Sequence, residues 1–185
     1  LGATVVVAGP GLPGAEEEAA DIAQMYGVRP LTGPSATVAE VSSHMRGAAL
    51  VHLAAHGAVR SDNPLFSSLR LTDGPLTVVD LEQLDEDADT VVLAACESGR
   101  HVVLAGDELL GLGAALLAGD TRHLVASVVP VPDAETHDLM VGFHDRLRAG
   151  ACVAEALAQA QAAMDENDPR AFAAAAGFVC LGAGF

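Results

Sequence analysis

Two apolar segments of the sequence end abruptly on residues that can do chemistry. One ends at His56 followed by Gly57, and the other ends at Cys96. A thiol reacts as its thiolate, and a neighbouring imidazole can take up the thiol proton. Imidazole titrates near pH 6.5, so the same ring can later protonate a leaving amine. The pair therefore predicts acyl transfer, with Cys96 as the nucleophile and His56 as general base and acid.

The backbone around these two residues fits the same chemistry. Gly57 has no side chain to shield its N–H, which with the N–H of Cys96 would form an oxyanion hole. If both segments are neighbouring parallel strands, His56 and Cys96 leave the sheet at its carboxyl edge, where open α/β sheets bind their ligands.

The order of helices and strands predicts an α/β fold, because short apolar runs alternate with longer amphipathic stretches. This pattern indicates an open, mostly parallel sheet flanked by helices on both faces, a three-layer sandwich. The predicted strands are residues 4–8, 49–54, 90–95, 123–129 and 178–181. The predicted helices are residues 38–46, 109–118, about 133–148 and 153–164. A small hairpin is predicted at the rim from residues 69–71 and 76–78, and residues 171–176 are predicted to be a plain connection.

The amino-acid sequence around His56 and Cys96 resembles that of a known family. Residues 51–57 (VHLAAHG), 69–77 (LRLTDGPLT) and 93–99 (LAACESG) are similar to the CHAT domain, of the caspase, legumain and separase group of cysteine peptidases. The likeness continues through 106–112, 126–133 and the helix around Glu155, although Val129 stands where the family usually has Trp. It implies a caspase-like sheet and an endopeptidase that needs no metal or cofactor. In bacteria such domains are often fused to repeat or sensor modules that control them.

The resemblance also suggests residues that bind substrate, namely Asp133, Ser127 and Glu97. Asp133 falls where separase-like enzymes carry an acidic specificity residue, and a carboxylate there would pair with a basic residue on the amino side of the cut bond. Asp133 is equally well placed to cap the following helix. Glu97 is equally well explained as a solvated carboxylate.

Three other interpretations of these residues stay open. Residues 9–14 read G-x-G-x-x-G after a strand, as in dinucleotide sites, but four carboxylates at positions 16, 17, 18 and 21 would repel a pyrophosphate. A Gly/Pro turn leading into a capped helix is the favoured interpretation of this pattern. A zinc site from His52, His56 and Cys96 lacks the usual ligand spacing, and His52 is expected to be a core residue. The domain could also keep the fold as a silent interaction scaffold.

Composition restricts the partners. The net charge of −16, from 25 acidic and 9 basic residues, disfavours binding to nucleic acid and to anionic membranes. Three cysteines without a pairing pattern favour reduced thiols and a cytoplasmic location. The 185 residues suit one domain, which we expect to be part of a longer chain. The remaining histidines are expected on the surface or at helix ends: His44, His101, His123, His137 and His144.

Overall fold

The computed structural model describes residues 2–58, 67–84, 86–94, 116–119, 121–129, 131 and 133–182. Its strands are β1 (Thr4–Ala8), β2 (Leu50–Ala54), β3 (Gly57–Ala58), β4 (Ser68–Arg70), β5 (Pro75–Thr77), β6 (Thr90–Leu93), β7 (His123–Ser127) and β8 (Phe178–Gly182). Its helices are α1 (Ala15–Tyr26), α2 (Val38–Met45), α3 (Val78–Glu82), α4 (Asp133–Arg148), α5 (Val153–Ala162) and α6 (Pro169–Gly177), with a 3-10 turn at Gly33–Ser35.

The main sheet has five strands in the order β1-β2-β6-β7-β8. The first four are parallel, and β8 is antiparallel to β7. Every residue of β2, β6 and β7 is buried, as expected for strands covered on both faces. The predicted α/β fold with a mostly parallel sheet is therefore confirmed.

Alternate residues of each strand pack into two apolar layers, one on each face of the sheet. One layer joins the sheet to α2, α3 and the rim hairpin, with Val51, Leu53, Val91 and Leu93 at its centre. The other joins the sheet to α1, α4 and α5, with Ile22, Val92, Leu139 and Phe143 at its centre. Helices on both faces thus hold the strand ends, including the end of β2, in fixed positions.

A second, three-stranded sheet has the order β3-β4-β5. It contains the predicted hairpin, which lies outside the main sheet as expected. β2 leads through Ala55 and His56 directly into β3, and Arg70 N donates a hydrogen bond to His56 O at 2.8 Å. The small sheet therefore braces the backbone immediately after β2.

Several predictions about local structure were wrong. The segment 171–176 is part of α6, whose first turn is capped by the Asp168 carboxylate, which accepts from Arg170 N. His123 and His144 are 8% and 0% exposed, so neither is a surface residue. The prediction of a helix over 109–118 is confirmed for residues 116–118, and the rest of that range lies outside the described residues.

In the described part of the chain, no helix combines the length and the apolar character needed to cross a bilayer.

Candidate active site

His56 lies at the carboxyl edge of the main sheet, two residues beyond the end of β2. The backbone on both sides of it is anchored, because Gly9 N donates to Ala54 O at 2.8 Å and Arg70 N donates to His56 O at 2.8 Å. His56 itself is partly exposed. The fold therefore presents a fixed imidazole at the edge where ligands reach an open sheet.

The imidazole of His56 is oriented by a backbone carbonyl. Its Nε2 lies 2.9 Å from Gly11 O, in the loop of residues 9–14 that joins β1 to α1. Because a carbonyl oxygen can only accept, Nε2 carries the hydrogen. In the neutral ring, Nδ1 then holds the lone pair that a general base requires.

Loop 9–14 reaches His56 because two of its glycines permit it. Gly11 has φ +77°, a left-handed conformation that glycine adopts without strain. A Cβ on Gly9 would lie 2.6 Å from Arg70 O and 2.7 Å from the Ala55 Cβ. The G-x-G pattern, expected to be only a turn, thus also supplies the carbonyl that orients His56.

The backbone N–H of Gly57 faces away from β4. The bond from Arg70 N to His56 O makes Gly57 and Leu69 a non-hydrogen-bonded pair in the antiparallel ladder. The N–H of such a residue points away from the partner strand, here β4. No atom of the described residues lies within 4 Å of a Cβ built on Gly57, so the space beside it is open in that part of the structure.

Cys96 and Glu97 lie outside the described residues, and the description of their segment ends at Ala94. β2 and β6 are hydrogen-bonded neighbours, with Leu53 paired to Leu93 and Ala94 N donating to Leu53 O at 3.0 Å. Counted along the chain, His56 follows Leu53 by three residues and Cys96 follows Leu93 by three.

The other two candidates are at the end of β7 and the start of α4. Ser127 is 1% exposed, and its hydroxyl donates to Val129 O in the turn that follows the strand. Asp133 is the first residue of α4, and its side chain lies outside the described atoms. The specificity and capping hypotheses for Asp133 therefore both stay predictions.

A chain of hydrogen bonds runs through the α1/α4 face of the sheet, and most of it could not be predicted from the sequence. Glu18 Oε1 lies 2.8 Å from His52 Nε2, His52 Nδ1 lies 3.1 Å from His144 Nε2, and His144 Nδ1 lies 3.1 Å from the Tyr26 hydroxyl. His52 is the satisfied core residue that was expected. Burial, with a smaller effect from His52, holds the pKa of His144 well below its usual value. Burial raises the pKa of Tyr26 to about 12, against a smaller lowering effect of Arg148.

Cavities near the site have acidic linings. One of about 370 Å³ beside loop 9–14 is lined by Gly9, Gly11, Leu12, Gly14, Glu16 and Glu17. Its two carboxylates disfavour a phosphate ligand. Within the described ranges, no group of three or more His, Cys, Asp or Glu side chains could hold a metal ion. The zinc hypothesis needs Cys96 and so lies outside those ranges.

A sequence model of the CHAT domain matches residues 3–183, nearly the whole chain. The chain belongs to the CHAT domain family. Among curated proteins, this CHAT domain is similar to tetratricopeptide repeat protein 28 of Homo sapiens and of Mus musculus, at 27% and 28% identity over 213 aligned positions. The match covers 92% of this chain and 8% of each relative, so the CHAT domain spans a small part of their length.

The fold of the CHAT domain is also found in a solved cysteine proteinase. The structure of the Arg specific cysteine proteinase gingipain R aligns with a TM-score of 0.66 at 14% identity, over 98% of this chain and 45% of the proteinase. At this identity the likeness shows a shared fold.

Proposed function

We propose that this CHAT domain is a cysteine endopeptidase in which His56 is general base and acid and Cys96 is the nucleophile. The observation that carries the proposal is the hydrogen bond from His56 Nε2 to Gly11 O. It leaves Nδ1 of a neutral ring as the base, at the end of the strand adjacent to the one that leads to Cys96. A carbonyl that fixes the tautomer of the imidazole keeps the unprotonated ring nitrogen available to take up a proton.

The reaction follows from these roles. The Cys96 thiol passes its proton to His56 Nδ1, and the thiolate attacks the carbonyl carbon of the peptide bond. The negative charge on the carbonyl oxygen is stabilised by the N–H groups of Gly57 and Cys96. His56 then protonates the leaving amine, and a thioester remains on Cys96. A water molecule, deprotonated by His56, attacks the thioester, and the departing thiolate recovers the proton as the acid product leaves.

The direct test is a set of single substitutions assayed on a proteome-derived peptide library. Cys96→Ala and His56→Ala should each abolish cleavage with melting temperatures close to wild type, since His56 is partly exposed. Cys152→Ala and Cys180→Ala are the matched controls, because they remove the other two thiols, and both should retain activity. Full activity in Cys96→Ala would refute the assignment.

The reactivity of the Cys96 thiol distinguishes an enzyme from a catalytically silent scaffold. An activated Cys96 should react with iodoacetamide faster than Cys152, which is exposed and therefore accessible. The ratio of the two rates, read by mass spectrometry, should fall sharply in His56→Ala. Equal rates in the wild type would favour the scaffold.

Substrate choice is proposed to involve a basic residue on the amino side of the cut bond. The net charge of −16 attracts cationic peptides, and Asp133, with Ser127 and Glu97, is the candidate for the specificity contact. Gingipain R, whose fold this domain shares, is an Arg specific proteinase, which is a property of that protein.

Control of the enzyme is proposed to come from repeat or sensor modules, fused or bound, rather than from cutting within the domain. The curated relatives are tetratricopeptide repeat proteins of which the CHAT match is 8%. Only the segment 98–106 lies between the Cys96 motif and Asp107 with Glu108, which open the predicted helix 109–118, and this segment is short for a cleavable linker. An activity-linked cut between residues 98 and 106, detected by mass spectrometry, would refute this mode of control.

A further inference from the structure

Four polar side chains, none of which takes part in the proposed reaction directly, form a continuous chain of hydrogen bonds within an apolar layer. His52 and His144 are 0% exposed and Glu18 is 5% exposed. Burying such groups is unfavourable unless each one is hydrogen-bonded. Here all three links are made, from Glu18 in α1 through His52 in β2 and His144 in α4 to Tyr26 at the end of α1.

The direction of the hydrogen bonds is set from the carboxylate end. An ionised Glu18 can only accept, so His52 Nε2 carries a hydrogen. With both histidines neutral, His144 Nε2 donates to His52 Nδ1, and the Tyr26 hydroxyl donates to His144 Nδ1. In each of the three hydrogen bonds the donor then lies on the side away from Glu18, and the last donor in the series, His52 Nε2, donates to the buried Glu18 carboxylate.

The carboxylate end of the chain lies beneath the candidate active site. Glu18 lines a small cavity together with Leu12, Pro13 and Gly14 of loop 9–14 and with Ala54 and Ala94, the residues at the ends of the two central strands. Glu18 N also donates to Gly14 O at 2.9 Å. The same loop presents Gly11 O to His56 Nε2.

We propose that Glu18 is a positioning residue for His56, and that the chain from Tyr26 through His144 and His52 fixes the Glu18 carboxylate so that loop 9–14 holds the Gly11 carbonyl against the imidazole. Glu18 touches no reacting atom in this scheme. Its role in turnover rests on the proposed function, but its effect on the His56 ring does not.

Two neighbouring contacts brace the same elements without joining the chain. His137 Nε2 lies 3.1 Å from Asp21 Oδ2, which links α4 to α1 about two turns before His144. The Arg148 guanidinium lies 5.9 Å from the centre of the Tyr26 ring. Because these contacts hold α1 on α4 in any Glu18 variant, a change confined to Glu18 should act on the loop rather than on the whole packing.

The test measures the His56 ring directly. Histidine-labelled protein carrying Cys96→Ala, which prevents self-cleavage, is studied by ¹⁵N NMR, with the His56 signals assigned from a His56→Gln sample. The Nε2–H tautomer should dominate at His56 in this parent. Glu18→Gln keeps the shape but replaces the charge-assisted hydrogen bond from His52 with a weaker neutral one. It should therefore raise the Nδ1–H share of His56 at least about twofold, since the loop carbonyl is held less firmly. Glu17→Gln, the exposed neighbour in the same helix turn, is the matched control and should leave the ring unchanged.

Kinetics of the same substitutions with Cys96 intact supply the second readout. Glu18→Gln should lower kcat about 10- to 100-fold, as expected for a misplacement near 1 Å, with KM changed less than about twofold. If the wild type cleaves nothing while the His56 tautomer still responds, the proposed function fails and the positioning role stands. If the tautomer is unchanged in Glu18→Gln, the positioning role is overturned, whatever happens to melting temperature or kcat.

A milder variant covers the case in which Glu18→Gln does not fold. Tyr26→Phe removes only the half-buried hydroxyl at the far end of the chain and no charge. It should shift the His56 tautomer in the same direction by a smaller amount. An unchanged tautomer in Tyr26→Phe would then overturn the proposal.

Discussion

Acid should destabilise this domain through His144. The side chain is 0% exposed, and burial, with a smaller effect of His52, holds its pKa well below the usual value of 6.5. The unfolded chain exposes the ring and takes up a proton near pH 6.5, whereas the folded state resists it. The unfolded state therefore binds more protons below about pH 6.5, and stability is lost as the pH falls from there toward the folded pKa.

The size of the effect follows from one proton. If folded His144 stays neutral, linkage gives a loss of about 1.4 kcal/mol between pH 7.5 and pH 5.5, most of it below pH 6.5. His144→Gln stays neutral at every pH and still offers a donor and an acceptor, so this share of the loss should disappear. The variant should be less stable than wild type at pH 7.5 and closer to it at pH 5.5.

The assay is urea unfolding at pH 7.5, 6.5 and 5.5, followed by circular dichroism because the chain has no tryptophan. His44→Gln is the matched control, since His44 is a histidine with an exposed side chain at the end of α2. That control should keep the full loss on acidification, because His144 is intact. The reasoning is wrong if His144→Gln loses as much stability between pH 7.5 and 5.5 as wild type does.

Three further predictions test the backbone and the specificity of the site. Gly9→Ala should lower the free energy of unfolding by about 1–3 kcal/mol, because the new Cβ meets Arg70 O at 2.6 Å; unchanged urea midpoints would contradict that close packing. Gly57→Ala should change stability by less than about 1 kcal/mol yet lower kcat/KM about tenfold or more, because the new Cβ would crowd the approach of a substrate carbonyl to the Gly57 N–H; equal rates would contradict that close approach. Asp133→Asn should abolish the preference for Arg or Lys in library cleavage; a retained preference with a lower melting temperature would assign Asp133 to helix capping.

Much of the fold could be predicted because it rests on local patterns. The strand runs are apolar on both faces and end at turn residues, so residues 4–8, for example, were predicted with the bounds that β1 has. The cap of α2 was equally local, since Thr37 accepts from Glu40 N three residues away. His56 was recognisable because it follows an apolar strand and precedes a glycine.

Two kinds of feature were not predicted: contacts between residues far apart in the sequence, and one helix whose start signal is local. Glu18 and His52 are 34 residues apart, and His52 and His144 are 92 apart, so no spacing rule connects them. A helix turn rich in carboxylates was naturally explained by the helix dipole, which gave no reason to expect one of them to be buried. The helix α6 has a local start signal, Asp168 followed by proline, whereas the prediction of a plain connection rested on the alanine run alone.

The way His56 is held has a consequence for how this region can vary. Its imidazole and its carbonyl are both bound by main-chain atoms, Gly11 O and Arg70 N. Substituting the side chains at positions 10, 12 and 13 deletes neither contact, although Leu12 also packs against the apolar layer of α1 and α4. Such substitutions therefore act on the His56 ring only indirectly. Adding or removing one residue between β1 and α1, by contrast, would carry the carbonyl away from the ring. Loop length is therefore the stricter requirement, and homologues or designed variants should tolerate changed letters there far better than insertions or deletions.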